Sequence, residues 1–150
     1  MGLLSASGPP RPKVITSILI VEDEPLLAFD NEQVLERAGY QVVDTVDRYS
    51  DAVEALARGG IDLILADVNL AGSHNGMDLA RHARTLDIPV LFASASDPGN
   101  GDGCAIGWLA KPYAARDLVR AIAVVGAILS GGSPSAVPGG MRLFAVDPAS

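Results

Sequence analysis

Five short apolar runs recur along the chain, and segments with helical spacing separate them. The predicted strands are Val14–Val21, Tyr40–Val46, Asp62–Ala66, Ile88–Ala93 and Trp108–Ala110. Most of these runs are apolar at nearly every position, which is typical of strands that are buried on both faces of a parallel sheet. Strands that alternate with helices predict an α/β fold in which helices cover both faces of the sheet. In such folds, ligands bind beyond the carboxyl ends of the strands, so we expect any functional residues there.

Four segments have the spacing and end signals of helices. Pro25 suits the first turn of a helix, and Gly39 can end it. The predicted core face of this helix carries Leu26, Leu27, Val34, Leu35 and Ala38. Ser50 is the predicted N-cap of the second helix. The third and fourth predicted helices are Gly76–Arg84 and Ala114–Leu129.

Two segments near the C-terminus are unusual. The interval Ser94–Gly107 contains four glycines and one proline. Glycine costs about 1 kcal/mol relative to alanine within a helix and proline about 3 kcal/mol, so we expect a loop there. The stretch Ala121–Leu129 carries no charge, although a surface helix usually has a polar face. Either the apolar run "MRLFAV" folds back over this helix, or the helix exposes a surface for a homodimer or a partner.

Length and composition predict one folded domain with loose ends. The predicted parts are a flexible N-terminal tail (1–13), a domain (14–130) and a tail rich in Gly, Pro and Ser (131–150). The 11 basic and 18 acidic residues give a net charge of −7, which disfavours nucleic acid as a partner. No apolar run reaches the roughly 18 residues that span a membrane. The single cysteine, Cys104, suits a reducing compartment, and we expect a cytoplasmic protein.

Acidic residues follow two of the predicted strands, and a lysine follows a third. Glu22, Asp23 and Glu24 follow the first strand, Asp67 follows the third, and Lys111 follows the fifth. Two carboxylates about 4 Å apart repel each other by around 4 kcal/mol at an effective dielectric constant near 20. A cluster of carboxylates therefore needs cations. Lys111 supplies one charge, and Mg²⁺, which prefers oxygen ligands, suits the rest.

In combination, the motifs "ILIVEDEP", "DLILADVNL", "PVLFASA" and "WLAKPY" resemble those of response-regulator receiver domains, the phosphorylatable part of two-component signalling systems. The resemblance implies a flavodoxin-like, five-stranded parallel sheet in the order 2-1-3-4-5. Members of this family usually have a regular helix between strands four and five, but the composition of Ser94–Gly107 predicts that this fourth helix is degenerate or missing here. It also implies that Asp67 accepts a phosphoryl group. Asp23 would bind Mg²⁺ directly together with Asp67, Glu22 would hold the ion through water, and the backbone carbonyl of Asn69 would complete the site.

The resemblance also assigns residues that respond to the phosphoryl group. Lys111 would contact Asp67 and then a phosphoryl oxygen, and the Lys111–Pro112 peptide bond is expected to be cis. Ser94 would donate its hydroxyl to the phosphoryl group, and Trp108 stands at the position of the family's switching aromatic. Drawing Ser94 inward would leave space beside the fourth strand into which Trp108 could swing. The loop that follows Ser94 is expected to become ordered or disordered with phosphorylation.

The implied function is signalling rather than catalysis, with a sensor histidine kinase or a histidine phosphotransfer protein as the phosphoryl donor. A stand-alone adaptor, a phosphoryl relay or sink, and a receiver cut from a longer hybrid kinase all stay open. So does a receiver-like adaptor that is not phosphorylated. A Mg²⁺-dependent aspartyl-phosphate phosphohydrolase is disfavoured because Asn69 stands where such an enzyme needs an acid. A nucleotide binder is disfavoured because "EDEP" would repel a phosphate. His74, His82 and Cys104 are interpreted as structural or incidental.

Overall fold

Six strands form a single sheet in the computed structural model, which describes residues 14–134 and 136–144. The strands are β1 (Ser17–Val21), β2 (Gln41–Val46), β3 (Leu63–Ala66), β4 (Val90–Ser94), β5 (Gly107–Ala110) and β6 (Met141–Leu143). The helices are α1 (Pro25–Arg37), α2 (Tyr49–Arg58), α3 (Gly76–Thr85) and α4 (Ala115–Leu129). The strand order is β2-β1-β3-β4-β5-β6, and only β6 runs antiparallel to its neighbour. The predicted order of the first five strands is confirmed, but the predicted number of strands was wrong by one.

The central strands are buried because helices cover both sides of the sheet. Ile18 and Ile20 of β1 belong to one core cluster, whereas Leu19 and Val21 belong to the other. This alternation follows from the two-residue repeat of a strand. The first cluster includes residues of α1 and α4, and the second includes residues of α2 and α3. The doubly wound α/β architecture is therefore confirmed.

Two predicted features of the helices were wrong. Leu26 and Ala38 were assigned to the core face of α1, but Leu26 is 82% exposed, and Ala38 is an exposed C-cap residue. The buried residues of α1 are Ala28, Asn31 and Leu35, whose spacing defines a face that excludes Leu26. In α2 the N-cap is Arg48, with no side-chain cap, so Ser50 lies inside the helix.

The segment between β4 and β5 contains only a short 3₁₀ turn, Gly101–Gly103, so the predicted loss of a regular helix is confirmed. Two arginines of α3 hold this turn. Arg81 forms an ion pair with Asp102 at 2.5 Å, and Arg84 donates a hydrogen bond to the carbonyl oxygen of Gly103 at 2.7 Å. Side-chain contacts thus replace helical hydrogen bonds in fixing this segment. Whether its order depends on phosphorylation stays a prediction.

The run "MRLFAV", which one of the two alternatives placed over α4, instead adds β6 to the edge of the sheet beside β5. Within Ala121–Leu129 only Ala123 is exposed. The chain reverses after α4 and returns to the sheet, where Met141 packs against the core as part of β6. Whether a homodimer or a partner contacts Ala121–Leu129 stays a prediction. Residues 1–13, the predicted N-terminal tail, and 145–150, which end the predicted C-terminal tail and include the last two residues of "MRLFAV", lie outside the described residues.

Across residues 14–134 and 136–144, none of the helices has the length and the apolar character that crossing a bilayer requires.

Gly76 provides a test of how α3 packs on the end of β3. A Cβ atom at this position would overlap the carbonyl oxygen of Asp67 and lie 2.8 Å from the Cα atom of Val68. We expect Gly76→Ala to reduce the free energy of unfolding by about 1–3 kcal/mol because backbone atoms must shift. Thermal unfolding measures this loss. The control is Gly139→Ala, where no atom lies within 4 Å of the added Cβ. Equal melting temperatures for the two variants would contradict the packing described.

Candidate functional site

Asp67 lies at the carboxyl end of β3, and both of its carboxylate oxygens accept hydrogen bonds. It is only 5% exposed. Oδ1 accepts from the hydroxyl of Ser94 at 2.6 Å and from the backbone N–H of Asn69 at 3.0 Å. Oδ2 accepts from Nζ of Lys111 at 2.7 Å. These donors come from the ends of three strands, so the parallel sheet itself brings them together.

Lys111 is the cation of the site. Its Nζ atom lies 2.7 Å from Oδ2 of Asp67, 2.8 Å from Oε1 of Glu22 and 3.6 Å from Oε1 of Glu24. Burial disfavours the charged ammonium, but hydrogen bonds and charge attraction from Asp67 and Glu22 outweigh it and raise the pKa of Lys111. The lysine is therefore held in its charged form between two carboxylates.

Glu22 is the most buried acid of the β1–α1 loop, at 4% exposure. Burial raises the pKa of Glu22, although the hydrogen bond from Lys111 opposes this shift. Oε2 of Glu22 also accepts a hydrogen bond from the backbone N–H of Glu24 at 3.1 Å. The three acids Glu22, Glu24 and Asp67 carry three negative charges against one positive charge on Lys111. The net charge of these four groups is thus negative, and a divalent cation could neutralise it.

The donor atoms also suit Mg²⁺, because each is a carboxylate oxygen. Glu22, Glu24 and Asp67 each offer one oxygen, and these oxygens lie within 4.8 Å of one another. Asp23, the predicted direct ligand, is exposed and lies outside this group. It lines an adjoining acidic cleft that Asp47 and Asp51 also line. The role of Asp23 stays a prediction, while Glu24 is an acid of the cluster to which the sequence analysis gave no role.

Ser94 links Asp67 to the predicted switch residue. Its side chain donates to Asp67, and its carbonyl oxygen accepts a hydrogen bond from Nε1 of Trp108 at 2.9 Å. Asn69 reaches the same segment, because its Nδ2 atom donates to Oγ of Ser96 at 2.7 Å. The Lys111–Pro112 peptide bond is cis, as expected. The structure thus connects the carboxylate, the hydroxyl, the ammonium and the aromatic ring that the sequence singled out.

A family model for the response regulator receiver domain matches residues 18–123. The chain belongs to this family. Receiver domains are signalling domains that are phosphorylated on an aspartate and bind Mg²⁺ at an acidic pocket. The predicted family is therefore confirmed.

Similar proteins include bacterial regulators. The receiver is 39% identical over 84 residues to the phyllosphere-induced regulator PhyR of Methylorubrum extorquens, covering 53% of this chain and 31% of PhyR. It is 33% identical over 117 residues to the sensory transduction protein RegX3 of Mycolicibacterium smegmatis, covering 74% of this chain and 50% of RegX3. The chain thus spans no more than about half the length of these two relatives. The response regulator TrrA of Thermotoga maritima, solved in complex with Mg²⁺ and BeF, shares the fold, with a TM-score of 0.66 and 22% identity over 73% of this chain and 97% of TrrA.

His74, His82 and Cys104, which the sequence analysis interpreted as structural or incidental, are not among the acids of the cluster described above. The ring of His74 stacks on Tyr49 with ring centroids 4.5 Å apart, and His82 meets the same ring edge-on at 6.2 Å. Cys104 is a free, half-buried thiol in the β4–β5 segment. Arg142, whose guanidinium carbon lies 4.8 Å from the centroid of Trp108, was not predicted. No local sequence signal could place it there, because the contact depends on the sixth strand.

Removing the charge of Lys111 tests the electrostatic balance of the site. The side chains of Glu22 and Asp67 are 3% and 6% exposed, so Lys111→Met would leave two buried carboxylates without their cation. We expect a loss of about 3 kcal/mol in the free energy of unfolding. We also expect Mg²⁺ to restore more stability to the variant than to the wild type. Urea unfolding with and without Mg²⁺ measures both effects.

The control for Lys111→Met is Arg37→Ala, which removes a positive charge from an exposed position at the far end of α1. This variant should stay within about 0.5 kcal/mol of wild type. A Lys111→Met variant as stable as the control would show that Lys111 does not balance the two acids.

Proposed function

We propose that this receiver accepts a phosphoryl group on Asp67 from a phosphohistidine of a sensor kinase or a phosphotransfer protein. A carboxylate oxygen of Asp67 attacks the phosphorus atom, the phosphorus–nitrogen bond breaks, and the released imidazole takes up a proton. The observation that carries this proposal is the donor arrangement around Asp67. Lys111 and Ser94 donate to opposite oxygens of the carboxylate, at 2.7 and 2.6 Å. These two groups fix the orientation of the nucleophile before transfer.

The same two donors are placed to stabilise the product. Phosphorylation adds roughly one further negative charge and three acceptor oxygens. The Lys111 ammonium can donate a hydrogen bond to one of these phosphoryl oxygens, and the Ser94 hydroxyl can donate to another. Mg²⁺ would be held by Asp67 and the neighbouring acids Glu22 and Glu24, with Asp23 and the Asn69 carbonyl as the further predicted ligands. When bound, the ion would neutralise charge on the transferring phosphoryl group.

The relatives support this function without fixing the partners. PhyR and RegX3 are named as a regulator and a sensory transduction protein, and TrrA shares the fold in a complex that contains Mg²⁺ and BeF. We propose that the phosphorylated receiver signals by contact with another protein. The kinase donor and the cytoplasmic location stay predictions. A receiver-like adaptor without phosphorylation is the main alternative, and the following experiment separates the two.

Asp67→Asn tests the phosphoryl acceptor. The wild-type protein is incubated with Mg²⁺ and a small phosphoryl donor such as acetyl phosphate, and its intact mass is measured. We expect the mass of one phosphoryl group to be added in wild type and not in Asp67→Asn, because an amide is not a nucleophile at this position. Omitting Mg²⁺ should slow the reaction in wild type.

The matched control is Asp87→Asn. Asp87 is an exposed carboxylate with a φ of 58°, a conformation that asparagine also tolerates. It precedes β4 and so lies at the amino ends of the parallel strands, opposite to Asp67. This variant should be phosphorylated like the wild type. A phosphoryl group added to Asp67→Asn, or none added to the wild type by either acetyl phosphate or a phosphohistidine donor, would reject the proposed function.

A further inference from the structure

The outer edge of β5 is occupied by the chain's own C-terminal segment, Met141–Phe144, which we call the strap. Three pairs of residues define its antiparallel register: Gly107 with Leu143, Trp108 with Arg142, and Leu109 with Met141. Two further hydrogen bonds flank them. The N–H of Phe144 donates to the carbonyl oxygen of Ile106 at 3.0 Å, and the N–H of Ala110 donates to that of Gly140 at 2.9 Å. The strap thereby covers the polar backbone groups that an edge strand would otherwise expose.

Glycine at position 107 allows this close approach. A Cβ atom on Gly107 would lie 2.9 Å from the carbonyl oxygen of Arg142, whereas its contact with Leu91 would be an ordinary 3.5 Å. A side chain at position 107 would therefore press on the strap more than on the core.

Arg142 binds the strap to the segment that follows β4. Its Nη2 atom lies 2.5 Å from Oδ1 of Asp97 and donates to the carbonyl oxygen of Gly99 at 2.6 Å. Its guanidinium carbon lies 4.8 Å from the centroid of Trp108 and 5.4 Å from that of Phe144, within the range of a cation–π contact. One arginine thus contacts both the β4–β5 segment and the switch aromatic.

Both of these contacts depend on the position of Ser94. The ring of Trp108 is held by the carbonyl oxygen of Ser94, and Asp97 follows three residues later on the same segment. The hydroxyl of Ser94 donates in turn to Oδ1 of Asp67. A continuous chain of contacts therefore runs from the carboxylate of Asp67 through Ser94 and Trp108 to Arg142.

The strap is a short strand whose backbone pairing is limited, although Met141 and Phe144 also pack against the two core clusters. It forms only three ladder pairs, and its ion pair joins side chains that are 44% and 58% exposed. Exposed pairs of this kind contribute little to stability. The segment that leads to it, 130–140, is rich in Gly, Pro and Ser, so the chain can bend there when the strap leaves β5 and gives up the contacts of Met141 and Phe144 with the core.

We propose that the strap is an autoinhibitory contact. It holds Trp108 in the unphosphorylated arrangement, and phosphorylation of Asp67 releases it and opens the β5 edge to an extended segment of a partner protein. A phosphoryl group places its oxygens farther from the Asp67 backbone than Oδ1, so Ser94 must move to donate to them. That movement shifts the carbonyl that holds Trp108 and the segment that carries Asp97, and Arg142 loses both partners. The freed N–H of Ala110 and carbonyl of Ile106 can then pair with an added strand.

The inference rests on the proposed function, and hydrogen exchange followed by NMR tests both. In wild type, the amides of Ala110 and Phe144 are measured with Mg²⁺ alone and with Mg²⁺ and beryllofluoride, a phosphoryl mimic. We expect both amides to exchange faster in the second state, while amides of the buried strands β1 and β3 keep their protection. Unchanged protection of Ala110 and Phe144 on a protein that binds beryllofluoride would overturn the strap but leave the proposed function standing. No binding of beryllofluoride by wild type would overturn both.

Variants of the strap provide a second, independent readout. Because coupling between two sites is reciprocal, loosening the strap should favour the phosphoryl mimic. We expect Arg142→Ala and Gly107→Ala each to bind beryllofluoride about fivefold more tightly than wild type in calorimetric titrations with Mg²⁺. The control Arg37→Ala removes the same charge from the far end of α1 and should bind with wild-type affinity. Wild-type or weaker affinity in both strap variants would overturn the proposal, since a purely structural strand would not oppose the mimic.

Discussion

The ammonium of Lys111 between the carboxylates of Asp67 and Glu22 is the interaction on which the site depends. It lies 2.7 and 2.8 Å from their oxygens, at a point where the sheet brings the ends of β1, β3 and β5 together. Without this cation, two buried carboxylates would repel each other and lose their hydration. With it, an ion pair and a hydrogen bond hold the Asp67 carboxylate in place, and the negative charge of Glu22 and Glu24 favours a further cation.

The connection between β4 and β5 lacks the α-helix that joins each earlier pair of consecutive strands. A 3₁₀ turn replaces a helix there, and arginine side chains replace the missing helical hydrogen bonds. Arg81 and Arg84 tie the turn to α3, while Arg142 ties the segment after Ser94 to β6. These contacts are side-chain interactions near the surface, which are easier to rearrange than a packed helix. The segment that we propose to respond to a phosphoryl group thus contains a 3₁₀ turn instead of a regular helix.

The central sheet could be predicted because local sequence and global fold agree there. The apolar runs of β1, β3 and β4 belong in the buried centre of a parallel sheet. The residues at or just beyond their carboxyl ends, including Ser94 and Asp67, must then lie close together. Leu26 shows the limit of such reasoning, since an apolar residue near a helix start says little about which face is buried. The strap shows another limit. Pairing of β6 with β5 depends on contacts more than thirty residues apart, so neither Arg142 nor its contact with Trp108 has a local signal.

The fluorescence of Trp108, the only tryptophan, reports on the coupling between Asp67 and the β4–β5 segment. We expect Mg²⁺ followed by beryllofluoride to change the emission of the wild-type protein in a saturable manner, because the carbonyl oxygen of Ser94 accepts a hydrogen bond from the indole N–H and the Ser94 hydroxyl contacts Asp67. The same titration of Asp67→Asn should leave the emission at its starting value. A saturable change that persists in Asp67→Asn, or a wild-type signal that does not respond, would contradict the assignment of Asp67 as the phosphoryl acceptor coupled to Trp108.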